Sequence, residues 1–137
     1  MSVRNICRDI LFLKHKSEKV TGLDLYVADY LRDTLSAHRD ECVGMAANMI
    51  GYAKRMIIVS TGLFDLVMLN PVITEKKSPF ETEEGCLSLL GVRKTVRYRE
   101  ITVRYEDTSF KVHTERFTGW TAQIIQHECA HLDGVII

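Results

Sequence analysis

Net charge is what this chain most plainly lacks. Eighteen Lys and Arg cancel eighteen Asp and Glu, so no long-range field gathers nucleic acid, and direct nucleic-acid binding is not expected. Long apolar runs are missing too. None approaches the roughly 18 residues of a membrane span, and charge interrupts the opening segment Met1-Ser2-Val3-Arg4-Asn5-Ile6-Cys7-Arg8-Asp9, so neither span nor signal peptide is expected and the location reads as cytoplasmic. Cysteines are few and scattered. Cys7, Cys42, Cys86 and Cys129 form no compact disulfide framework and are expected to be reduced thiols. Repeats, linkers and low-complexity tracts are absent as well. A chain of 137 residues, 46% hydrophobic and 26% charged, suits one globular domain over residues 1–137.

The chemistry concentrates in Gln126-His127-Glu128-Cys129-Ala130-His131. Two imidazoles spaced i and i+4 on a helix project from one face, one turn apart, and can each give a ring nitrogen to one ion. Glu128 sits beside the first of them, where a carboxylate can reach water activated by that ion. Such a string also arises by chance on amphipathic helices, so other residues must support it. A catalytic site needs a third protein ligand, and no His or Glu follows His131, which places that ligand upstream. Cys86, in Glu83-Glu84-Gly85-Cys86-Leu87-Ser88, is the best candidate: a thiolate is a good soft ligand, and Gly85 lets the backbone approach. Cys129 points away from both histidines on the helix, Cys7 lies in a polar segment, and Cys42 precedes a Gly-Ala stretch.

Around these motifs the elements read as follows. Residues 1–20 are expected to be an extended lead-in. Leu25, Ala28, Leu31, Leu35 and His38 recur at helical spacing within Asp24–Arg39. Arg55–Val59, Leu66–Asn70 and Val72–Thr74 are β-rich, with Pro71 between the last two; Glu75–Glu84 reads as an exposed edge or loop. Ile101–Tyr105 and Phe110–Phe117 suggest a hairpin. His38 and His113 are expected to be solvated residues, not ligands. Thr118 or Gly119 starts the last helix, whose Trp120, Ile124, His127 and His131 share a face, and Gly134 ends it. The fold class is α+β: short antiparallel and mixed sheets packed around a C-terminal metal-binding helix. A pocket the size of a methionine side chain is expected from Val43, Trp120 and Ile124.

Glu84-Gly85-Cys86-Leu87-Ser88, Gln126-His127-Glu128 with His131, Leu132 and Gly134, and Gly44-Met45-Ala46-Ala47 together resemble peptide deformylase, from about Gly22 to Gly134. The resemblance implies removal of formate from N-formylmethionyl peptides of newly made proteins. It also implies one ferrous ion, replaceable by Zn2+, Ni2+ or Co2+, on Cys86, His127 and His131. Glu128 would be the base, the Leu87 amide N–H would face the oxyanion, and the stretch around Gly44 would border the active site. Glu84 would bond a ligand histidine, Arg93 would line the peptide groove beside Val43 and Ile124, and Arg97 would lie behind the metal helix. Two positions depart from the family pattern. Met49 stands where a Gln amide stabilises the oxyanion, with Asn48 one residue earlier as the substitute amide, and Ala130 stands where an Asp faces the second arginine. Those departures motivate the alternative of a catalytically weak or inactive domain that binds metal and a peptide or partner. A monomer is expected.

Overall fold

The structure, a computed structural model, describes residues 3–86 and 88–136. Helix α1 is a single turn, Ile10–Leu13, where an extended lead-in was expected; Asp9 Oδ1 accepts from the Leu11 and Phe12 amides and so nucleates it. A 3-10 turn at Gly22–Asp24 leads into α2, Tyr26–Ala37, which buries Val27, Ala28, Leu31 and Leu35. The helix begins later than the apolar spacing implies because Asp24 Oδ2 is engaged by the Thr21 amide at 2.9 Å.

Five strands follow: β1 Gly44–Ala46, β2 Met56–Ser60, β3 Asp65–Cys86, β4 Leu89–Glu106 and β5 Val112–Thr118. They form one antiparallel sheet in chain order. The α+β class holds, but a single sheet replaces several short ones, and the parallel pairing among the described residues is an isolated bridge between Glu18 and Lys54.

Strand β3 fuses the two runs that Pro71 divides and continues through Glu75–Glu84. Pro71 lies in a register shift between Leu69 and Val72, where its missing N–H breaks no ladder bond. Asn70 turns the chain there with φ 51°, and its side chain is held by the Val20 amide at 2.8 Å and Glu106 at 2.9 Å. Residues 75–83 are exposed as expected, yet they are paired strand and not loop. His113 is half-buried, 2.8 Å from Asp107 Oδ2 and stacked on Tyr105, so it is not the solvated residue the alternation suggests.

The core joins β1, β2, the first part of β3, the last part of β4, α2 and the last helix, α3, Gly119–Leu132. Met45, Met56, Ile57, Ile58, Met68, Leu69, Ile101 and Ile125 are fully buried there, each side chain contributing about 1.5–3 kcal/mol relative to exposure. Helix α3 is buried on most of its surface, with Gln126, His127, Glu128 and His131 among its inward residues. Its carbonyl end is closed by Gly134, at φ 78°, and by bonds from the Val135 amide to Ala130 and the Gly134 amide to His131, both 3.0 Å. Gln126 fastens its middle: the carboxamide accepts from the Tyr98 amide at 2.8 Å and donates to the Tyr98 carbonyl at 2.7 Å, as a neighbouring strand would. Polar helix residues are thus held rigidly against the sheet. No helix among the described residues is long and apolar enough to cross a membrane.

Candidate metal centre and cleft

His127 and His131 face each other at one turn's separation, with ring centroids 4.6 Å apart, planes 82° apart and Nε2 atoms 3.0 Å apart. Cys86, at the end of β3, completes the cluster, and one ligand atom from each of the three residues lies within 4.8 Å of the other two. A thiol and two imidazoles converging from two rigid elements make a three-ligand set that leaves a position open for water or substrate, which fits a divalent transition metal. The remaining cysteines do not compete. Cys129 is buried in the core, and Cys42 donates through Sγ to the Gly44 carbonyl at 2.7 Å, its pKa pushed up to about 12 chiefly by burial.

Glu84 orients the first histidine. Its Oε1 lies 2.8 Å from His127 Nδ1, which leaves Nε2 directed at the cluster. The same carboxylate takes Arg97 Nη2 at 2.7 Å and Nε at 3.1 Å, and Gln123 Nε2 at 2.9 Å. Burial alone would raise its pKa; the bonds from His127, Arg97 and Gln123 outweigh that and hold it at about 2. Arg97 therefore has a buried anionic partner, although Ala130 offers none. Burial disfavours the charged form of His127, yet bonds with Cys86 and Glu84 leave its pKa raised, while burial and the His127 charge lower that of His131.

Glu128 is 4% exposed, and among the described residues its Oε1 has no hydrogen-bond partner. Burial lifts its carboxyl to about 7, with His127 opposing and Glu84 adding to the rise. A buried carboxylate poised near neutrality beside His127 is suited to accept and return a proton.

These groups wall a cleft of about 720 Å³. Val43, Trp120 and Ile124 line it, as do Gly44 and Met49. Gly44 is needed for close approach: a Cβ there would stand 2.5 Å from Ile124 Cγ2 and 3.1 Å from Glu128 Oε2. Gly85, expected to play that part, has room for a Cβ at an ordinary 3.5 Å from the Gly91 carbonyl.

Two expected residues stand elsewhere. Asn48 is absent from the cleft wall, and its Nδ2 donates to the His131 carbonyl at 2.8 Å, capping the metal helix instead of facing an oxyanion. The backbone explains this: Ala47–Ile50 is a 3-10 turn and not extended chain, so Met49 meets the cleft while Asn48 turns to the end of α3. Arg93 pairs with Glu84 in the register of β3 and β4 and, among the described residues, does not line the cleft; it belongs to the exposed strand arm. Leu87 lies outside the described residues. No role was assigned to Gln123 or Gln126 from sequence; Gln123 shares the helical face of His127 and meets Glu84, whereas Gln126, one residue before His127, turns to Tyr98 of β4, and only the fold reveals these partners.

A family model described as polypeptide deformylase matches residues 5–137. A peptide deformylase of Clostridium beijerinckii is 52% identical over 98% of this chain and 99% of its own length. Among solved structures, a class I type b peptide deformylase from Acinetobacter baumannii superimposes with a TM-score of 0.88 at 31% identity, covering 98% of this chain and 96% of that one. The peptide deformylase of Thermotoga maritima gives 0.87 at 27% identity, covering 98% and 94%. The motifs, the fold and these likenesses agree, and the chain belongs to the polypeptide deformylase family.

Proposed function

We infer that this chain, as one domain spanning residues 1–137, removes the formyl group from N-formylmethionyl peptides through Cys86, His127, His131 and Glu128. The family supports metal-dependent hydrolysis of formylated nascent peptides; the observation that carries the residue assignment is the convergence of a thiol and two imidazoles beside a buried carboxylate. Cys86, His127 and His131 would hold one divalent ion. Fe2+ is the native metal in this reading, and Zn2+, Ni2+ or Co2+ suit the same ligands. When bound, such an ion supplies Lewis acidity, activating water and polarising the formyl oxygen.

The chain's own residues do the rest. Val43 and Ile124, with Trp120 at the rim, receive the methionine side chain and hold the formyl group against Glu128. Glu128 takes a proton from the attacking water and delivers it to the amine nitrogen as the C–N bond breaks, so formate and a free amino terminus leave. Gly44 keeps the wall beside Glu128 thin. Glu84 fixes the His127 ring in the orientation that ligation needs. The protein acts as a cytoplasmic monomer. Formate release from a formyl-Met peptide by protein loaded anaerobically with Fe2+ or Ni2+ tests the reading; fully metallated protein that releases none contradicts it.

A further inference from the structure

The Glu84 carboxylate is shared unevenly. Oε1 receives His127 Nδ1 at 2.8 Å, Arg97 Nη2 at 2.7 Å and Arg97 Nε at 3.1 Å, whereas Oε2 receives Gln123 Nε2 at 2.9 Å and a second, 3.1 Å contact from the same Arg97 Nε. The bond between Cγ and Cδ of a glutamate is an sp3–sp2 torsion with a broad, weakly restrained profile. Arg97 Nη2 and His127 Nδ1 hold Oε1, and Arg97 Nε is divided between both oxygens. Among the described residues, the donor committed to Oε2 alone is Gln123, which holds the carboxylate at its other end. Gln123 stands one helical turn before His127, so the two side chains share a face of α3 and meet the same carboxylate from adjacent positions. It also lines the cleft, where it is the sole side-chain amide among the described residues.

We propose that Gln123 is a positioning residue: by clamping Glu84 Oε2 it keeps Oε1 on His127 Nδ1, and so sets the angle at which His127 presents Nε2 to the metal. The proposal rests on the reading of Cys86, His127 and His131 as ligands. Without the clamp the carboxylate turns towards the guanidinium, and the His127 ring gains freedom while the fold stays intact.

The test compares wild type with Gln123→Met, close in length and without a donor, and Gln123→Leu, which differs in shape and also lacks one. Dissociation constants for Co2+ and the visible absorption of the Co2+ proteins are measured, with melting of metal-free samples and steady-state kinetics alongside. Loss of an outer hydrogen bond to a ligand histidine costs about 10–100-fold in metal affinity or activity. Both variants are expected to weaken Co2+ binding about tenfold, to shift the ligand-field bands and to lower kcat with KM unchanged. Wild-type affinity and spectrum in both variants would overturn the proposal. So would a rise in KM with unaltered metal binding, which assigns Gln123 to the substrate, or effects that follow side-chain shape and melting temperature, which assign it to packing. Wild type that binds no Co2+ would instead remove the ligand reading itself.

Discussion

His127 Nδ1 sits 2.8 Å from Glu84 Oε1, and the same oxygen is 2.7 Å from Arg97 Nη2. One carboxylate therefore neutralises a buried guanidinium and orients the His127 imidazole. Truncating one partner of a buried ion pair costs about 3–5 kcal/mol because the other charge is left uncompensated. Glu84→Ala is expected to lose stability of that order in urea unfolding of the metal-free protein, with Arg97→Ala losing a comparable amount. A change below about 1 kcal/mol, the range of an exposed pair, would show that the contact is a surface pair in effect.

The same carboxylate predicts an acid limit. Its pKa, ordinarily 4.5, is held at about 2. A carboxyl depressed on folding contributes stability that is complete above its unfolded value and is lost as pH falls through its folded value. Between pH 4.5 and about 2, the denaturation midpoint of wild type is expected to fall more steeply than that of Glu84→Gln, which cannot titrate. Parallel curves across this window would assign acid sensitivity to other groups.

At Gly44 the wall of the cleft has no room to give. The added Cβ of Gly44→Ala would press on Ile124 Cγ2 at 2.5 Å and on the Ile58 backbone carbonyl at 3.3 Å. Overpacking of this kind costs about 1–3 kcal/mol. Because Ile124 and Glu128 must shift together, kcat/KM should fall as well. Melting temperature and formate release read the two effects separately, and a variant equal to wild type in both would mean that α3 moves freely from β1.

Met49 lines the cleft while its Sδ accepts from the Ala46 amide at 3.3 Å; a thioether has no hydrogen to donate, whereas the family resemblance implies an oxyanion-stabilising amide at this position. One oxyanion donor is worth about 10²–10³ in kcat. Gln at this position is expected to raise turnover by about tenfold or more, at a stability cost of about 1–3 kcal/mol for burying an amide. Unchanged turnover in Met49→Gln would show that another donor already serves the oxyanion.

The site was legible wherever spacing along one element carries it. The shared face of His127 and His131 follows from helical periodicity, the expectation that Cys86 joins them came from the need for a third ligand and the three do converge, and close approach at Gly44 follows from its run of small residues. Contacts between elements were not legible. The Asp missing at Ala130 suggested an unpartnered Arg97, but its long side chain reaches Glu84, thirteen residues away, although the register sets Arg97 opposite Phe80. Asn48, one residue from the expected position, could serve the oxyanion only through a local change of backbone; the 3-10 turn over Ala47–Ile50 is such a change, yet it sets the amide on the His131 carbonyl at the end of α3. The fold behaves likewise. A continuous apolar run marks β2 and the start of β3, which are buried in the core, and is missing over residues 75–83, which are largely exposed and are held by pairing with β4 and by cation–π contacts such as Arg99 over Phe80 at 4.6 Å.

The most direct measurement is formate release from a formyl-Met peptide by anaerobically Fe2+- or Ni2+-loaded wild type and Glu128→Ala, with metal content recorded in both. The expected result is rapid release by wild type and a loss of activity beyond about 10²-fold in the variant, at nearly equal metal content. Equal rates in the two proteins, or a variant that has lost its metal, would contradict the assignment of Glu128 as the group that moves the proton.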